Sequence, residues 1–379
     1  MVRVAACFFG ICLCANGQFF GLATPADGSR VQFATALRQK NTTQPTWGKL
    51  FQVDASGLQL VLSRDAQIPP PPPNPSQVQT NAYDVFAASI SADAKVFAVM
   101  ARRACPSGDC TYLRLEGYTT TITSGGQSKD YPGGLQLSAS GEWAFGTSSF
   151  GIFTHPAYLF NVNTGAGGDL GQIIPALDRM YGVRVSAIGH AVADDGTIAY
   201  STGQEVVTIR GTDIRRIPGN GYTQEPVMDR TGSTIVFAVG DTIRLADPAG
   251  SGSSLLISDG FALSLSDDGR TLLYLANRAK PQIHIYRFGG ASRQLGFYTS
   301  GIAQAILSGD ASTIYAVTLG GRLLKIPAST GSAQELIPRT PYLTGGGPFL
   351  APGKLTALPG VGLTDLSLRR CPPRCTEFA

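Results

Sequence analysis

Two adjacent carboxylate pairs, Asp194-Asp195 and Asp267-Asp268, are the first residues of this 379-residue chain to consider for chemistry. With backbone carbonyls, such oxygens could hold calcium, a hard cation that needs no histidine. Each pair is also followed by glycine, Gly196 or Gly269, and Asp favours such turns because its carboxylate bonds the local backbone. Turn chemistry alone accounts for the pairs, and calcium is retained as the one cofactor with candidate ligands. Other chemistries lack their residues. His155, His190 and His284 are scattered and form no closed zinc pattern with the cysteines. A Gly-x-Ser-x-Gly nucleophile elbow with a downstream histidine is missing. Net charge is only +4, and Arg102-Arg103, Arg215-Arg216 and Arg369-Arg370 are short doublets, not a basic stripe interleaved with aromatics, so nucleic acid is not an expected partner.

The elements that must position these carboxylates form a repeat. A small Asp/Gly turn followed by an alternating apolar strand recurs at Gly28, Ala94, Gly141, Gly196, Gly232, Gly269 and Ala311, with spacings of 66, 47, 55, 36, 37 and 42 residues. The shorter spacings suit four short strands and three turns. After each copy comes a second half-unit, such as Leu159-Phe160-Asn161-Val162 before Asn163-Thr164-Gly165, or Leu323-Leu324-Lys325-Ile326 before Ser329-Thr330-Gly331. Two hairpins per unit make a four-stranded antiparallel blade, which cannot bury enough surface alone. The expected fold is all-β, a seven-bladed β-propeller over residues 18–340.

The copies Pro25-Ala26-Asp27-Gly28-Ser29-Arg30-Val31-Gln32-Phe33 and Leu265-Ser266-Asp267-Asp268-Gly269-Arg270-Thr271-Leu272-Leu273-Tyr274 carry a further likeness. They resemble the Ser-Pro-Asp-Gly-x-x-[Ile/Leu]-x-[Phe/Tyr] repeat of TolB-type and related WD-like bacterial β-propellers. The proline is missing from most copies, and the Trp-Asp dipeptide of WD repeats is absent. What the resemblance implies is a scaffold and not an activity, because propellers host many functions. Sialidase-type boxes have another spacing and carry a Trp. Trp47 and Trp143 are too few for a quinone-cofactor propeller.

Met1-Val2-Arg3, the apolar run from Val4 to Cys14 and the small residues Ala15-Asn16-Gly17 read as a cleavable signal peptide over residues 1–17. The run is too short for a permanent membrane anchor. A secreted or periplasmic monomer is expected. Cleavage would remove three of the seven cysteines and leave Cys105, Cys110, Cys371 and Cys375, read as two local disulfides, Cys105 with Cys110 and Cys371 with Cys375.

In an antiparallel blade of strands A to D, the A–B and C–D turns lie at one end of the ring, and the B–C and D–A connections at the other. The insertions 36–48, 64–85, 100–111, 147–157 and 171–187 all fall at the second end and belong to blades 1 to 3, with a smaller one at 276–282. Long loops on a rigid scaffold carry recognition. The candidate binding face comprises Lys40 and Trp47, then Arg102, Arg103 and Asp109, then His155, and finally Asp178, Arg179 and Tyr181. Pro69 to Pro73 adds an extended proline run that suits a stiff spacer or a presented peptide.

Residues 341–379 break the repeat and resemble the opening of an immunoglobulin-like module, too short to complete one. The tail packs on the ring, stays mobile, or represents a truncated domain. No catalytic residue is assigned. The functional expectation is a non-enzymatic exported scaffold that binds a protein, peptide or glycan through the long-loop face of blades 1 to 3. The alternative is a lactonase-like hydrolase or lyase acting at the central channel with a bound divalent ion.

Overall fold

The computed structural model describes residues 19–38, 45–62, 84–105, 108–115, 121–124, 131–149, 157–164, 166–169, 189–219, 221–224, 226–247, 252–277 and 279–337. These residues fold into four-stranded antiparallel sheets, each contiguous in sequence. The first contains β1 (Phe19–Ala23), β2 (Val31–Arg38), β3 (Pro45–Asp54) and β4 (Gly57–Leu62). The next has β5 (Asp84–Ile90), β6 (Phe97–Cys105), β7 (Gly108–Leu115) and β8 (Thr121–Ser124). It is followed by β9 (Tyr131–Leu137), β10 (Trp143–Ser149), β11 (Ala157–Asn161) and β12 (Gly167–Asp169). The fourth holds β13 (Gly189–Val192), β14 (Ile198–Ser201), β15 (Glu205–Arg210) and β16 (Asp213–Pro218). Then come β17 (Val227–Met228), β18 (Ile235–Val239), β19 (Thr242–Ala246) and β20 (Ser253–Ile257). The sixth is β21 (Phe261–Leu265), β22 (Thr271–Ala276), β23 (Gln282–Arg287) and β24 (Ser292–Gln294). The last is β25 (Ile302–Leu307), β26 (Thr313–Thr318), β27 (Leu323–Pro327) and β28 (Gln334–Ile337).

Successive sheets meet through their first strands, β1 with β5, β5 with β9 and so on to β25, which meets β1. The first strands therefore surround the axis and the fold is a β-propeller. Facing sheets share apolar layers. Leu22, Val31 and Phe33 of the first blade pack with Tyr315, Val317 and Leu323 of the last, and the Tyr315 hydroxyl donates to the Gly28 carbonyl at 2.8 Å. Among the described residues no strand is exchanged between these two blades, and packing and such bonds join them.

The expectation of a seven-bladed propeller is corrected to six blades with a defined apolar core. Among the described residues, a packed apolar core is defined for six blades, those of β1–β4, β9–β12 and the four sheets after β12. In the β5–β8 sheet only Ser89 and Ile90 have described side chains within the strands. The blades also differ in height. Residues 36–48 and 100–111, expected as loops, are largely strand, with Leu37 opposite Thr46, Arg38 opposite Pro45 and Cys105 opposite Gly108.

Candidate recognition face

Three of the A–B turns are built by one hydrogen-bond set. Ser91, Ser266 and Ser308 donate to Asp93, Asp268 and Asp310 at 2.8, 2.6 and 2.7 Å. Their hydroxyls accept from the amides of Val96, Thr271 and Thr313 at 3.0, 2.9 and 3.0 Å. Each Asp in turn accepts from the amide two residues on, Lys95, Arg270 or Ser312. The bond from the Lys95 amide, then that from Ser91, draws the Asp93 carboxyl down to about 2. The central residue of every copy has positive φ, including Ala94 at 61° and Ala311 at 59°.

Across blades these turns form a belt. Ala26 N–H donates to Ala92 O, Ala92 to Ala139, Asp194 to Arg230, Arg230 to Asp267, and Asp267 to Gly309. Asp310 N–H reaches Ala26 O, and the Asp194 carboxylate bridges the remaining junction by accepting from Ser140 N–H at 2.5 Å. The four carboxylates considered for calcium are thus divided between two uses. Asp195 accepts from Thr197 N–H at 2.8 Å and pairs with Arg210 at 2.8 Å, while Asp268 caps its own turn. Asp194 bonds the Arg230 guanidinium, and burial raises the Asp267 carboxyl, with Arg230 opposing that rise. Among the described residues no group of three or more His, Cys, Asp or Glu is placed to hold a metal ion. The acidic motif is committed to turns and to the belt.

The opposite end, carrying the B–C and D–A connections, has another character. Three of the four large hydrophobic residues exposed among those described lie there: Tyr222 at 52%, Phe297 at 65% and Leu319 at 49%. Phe297 sits on the connection from β24 to β25. The buried Gln282 amide clamps this connection, donating to Tyr298 O at 3.1 Å and accepting from Tyr298 N–H at 2.8 Å. Lys280 Nζ stands 4.9 Å from the Phe297 ring centroid. Leu319, on the β26–β27 turn, donates its N–H to Gly301 O at 3.1 Å, and Ile302 N–H bonds Pro281 O at 2.9 Å. These bonds stitch two connections and a turn into a fixed surface.

Tyr222 borders a pocket of about 630 Å³ lined by Gly203, Gln204, Glu205, Arg216, Pro218 and Gly221. Glu205 and Arg216 sit diagonally on β15 and β16, with Arg216 Nη2 2.6 Å and Nε 3.1 Å from Glu205 Oε1. Nothing in the sequence marked these residues beyond the Arg215-Arg216 doublet, because the pocket joins the β14–β15 turn of one blade to the connection that leaves it after β16.

Among the residues expected at the face, Trp47 is in β3 opposite Ala36, Arg102 in β6 opposite Asp84 and Thr111, Arg103 opposite Cys110, and Asp109 in β7 opposite Ala104. They occupy paired strands rather than loops. Lys40, His155, Asp178, Arg179, Tyr181, the leader, the proline run and the tail lie outside the described residues. Cys105 and Cys110 sit in one hairpin but opposite Gly108 and Arg103, no disulfide is seen among the described residues, and Cys371 and Cys375 are also outside them.

The chain is similar in fold to a chain of the mitotic checkpoint complex crystal structure, with a TM-score of 0.53 at 13% identity, covering 82% of this chain and 90% of that one. It also resembles a chain of Kuenenia stuttgartiensis hydrazine synthase, with a TM-score of 0.51 at 13% identity, covering 83% and 97%. No family model matches the chain, and no curated protein matches it. At such identity the likeness concerns the fold alone, and the TolB-type affiliation is not confirmed.

Proposed function

We propose that this protein is a non-enzymatic binding scaffold that recognises a protein partner through the end of the ring bearing the B–C and D–A connections. The observation that carries the reading is the exposure of Tyr222, Phe297 and Leu319 on that end, on connections held by backbone bonds. Exposed aromatic anchors on a fixed backbone lose little entropy on binding and dominate interfaces. The β2–β3 and β6–β7 hairpins are B–C connections too, so they extend from the same end and would frame the partner. The propeller fold fits such a role. We read the repeat's likeness to TolB-type propellers, with the leader, as that of an exported scaffold.

Site-directed photo-cross-linking tests this. A cross-linking residue at Phe297 or Leu319 is expected to capture one partner reproducibly, and one at Lys95, on the A–B end, is expected not to. Equal capture from both ends, or capture from Lys95 alone, would overturn the assignment.

A further inference from the structure

We propose that the pocket between the outer strands of the fourth blade and the 219–224 connection binds a neutral saccharide, with Tyr222 as the stacking platform. The inference shares the recognition face with the reading above but does not depend on a protein partner.

The charge balance selects the ligand class. Glu205 and Arg216 form a forked pair, with a third contact of 3.0 Å from Arg216 Nε to Glu205 Oε2, so the pocket carries opposite charges that cancel within it. An anion placed against Arg216 meets Glu205 at the same distance range, and a cation against Glu205 meets Arg216. A hydroxyl donates and accepts at once, as does the exposed Gln204 amide beside the fork. Neighbouring hydroxyls on one ring therefore match carboxylate, guanidinium and amide without bringing net charge. The half-exposed Tyr222 ring and the exposed Pro218 supply the apolar surface against which the C–H face of a pyranose packs. The volume lies in the range of small-molecule sites.

The walls are formed in advance. Gly219 N–H bonds Gln204 O at 3.0 Å, Thr223 N–H bonds Gly203 O at 2.9 Å, and Gly240 N–H bonds Tyr222 O at 3.0 Å. Ser201, fully buried, donates to Thr223 O at 2.7 Å and accepts from Gly203 N–H at 3.0 Å. Both sides of the pocket are thus tied through one buried hydroxyl, and binding need not order them.

Calorimetric titration and saturation-transfer NMR of the full chain with glucose, galactose, mannose, N-acetylglucosamine and their disaccharides provide the test. Glucuronate and glucosamine serve as charged controls. At least one neutral sugar is expected to bind with its ring face nearest protein protons, and more tightly than either control. Tyr222→Ala should weaken it by about tenfold or more, as loss of an aromatic anchor does, with only a small fall in Tm, since the ring is half exposed. Glu205→Gln should weaken it as well. Absence of binding by every neutral sugar, preference for a charged one, displacement of the sugar by proline-rich peptide at lower concentration, or unchanged affinity in Tyr222→Ala would each overturn the proposal. Cross-linking from Phe297 and Leu319 involves neither Tyr222 nor a sugar, so the two readings fail independently.

Discussion

Three substitutions separate what the A–B turn demands of its backbone from what it demands of its neighbour. Gly269 has φ +68°, and a Cβ there would stand 2.7 Å from Thr234 Oγ1 and 3.1 Å from Asp229 Cβ of the preceding blade. Gly211, in the β15–β16 turn, has φ +59° with open space around it. Ala311 already carries a Cβ at φ 59°. Left-handed backbone costs a non-glycine residue about 1–2 kcal/mol, and forcing a methyl into a packed junction adds about 1–3 kcal/mol. Gly211→Ala should therefore lose about 1–2 kcal/mol and Gly269→Ala about 2–5 kcal/mol. Ala311→Gly recovers the backbone cost less about 0.4–1 kcal/mol of unfolded-chain entropy, a net gain of about 0–1.6 kcal/mol. Loss of the partly buried Ala311 methyl trims that gain.

Scanning calorimetry reads these as shifts in Tm. At roughly 2.1 cal/mol/K per residue, the folded part of the chain unfolds with about 0.7 kcal/mol/K, so 1 kcal/mol moves Tm by about 1.5 °C. The expected shifts are about −2 to −3 °C for Gly211→Ala, −3 to −7 °C for Gly269→Ala and about +1 °C for Ala311→Gly. If Gly269→Ala cost no more than Gly211→Ala, the close approach between blades would be refuted. If Ala311→Gly lowered Tm, the repeat would not be imposing strain at that position.

Two further outcomes follow from the belt and the serine device. The folded Asp267 carboxyl lies above its ordinary 3.8 because of burial, opposed by Arg230 and reinforced by Asp194, Asp268 and Asp310. Its favourable contribution is complete below 3.8 and is lost as pH rises through the folded value. Asp267→Asn should accordingly raise Tm at neutral pH and lose that advantage on acidification below the ordinary value; a gain independent of pH would count against the burial argument. Ser308 is fully buried, donates to Asp310 and accepts from Thr313 N–H. Ser308→Ala strands that amide and should cost about 1–3 kcal/mol in urea unfolding, and a neutral result would mean the hydroxyl does not build the turn.

What the sequence disclosed and what it concealed follow from the two ends of the ring. At the A–B end one backbone requirement recurs, a left-handed residue that lies against the preceding blade. At Gly28 a Cβ would press on Thr313 and Ser308, and at Gly141 on Val96 and Ser91, so the same residue types return at each copy and the repeat is visible. Ala94 and Ala311 hold the same backbone within the same Ser and Asp bonds, so the pattern survives without glycine. At the other end each connection meets a different neighbour, and no common requirement acts on its residues. Trp47 and Arg102 sit in paired strands within segments that were read as insertions, so strand was read as loop. Glu205 opens β15 and Tyr222 lies on the connection that leaves the same blade after β16, and the bonds from Ser201 to Thr223 O, from Thr223 N–H to Gly203 O and from Gly219 N–H to Gln204 O bring them to one pocket. Scaffold residues answer to a repeated constraint and leave a period; recognition residues answer to a local one and leave none. The functional surface of such a ring is therefore to be sought where its repeat is least regular, and here that end also carries the exposed aromatics.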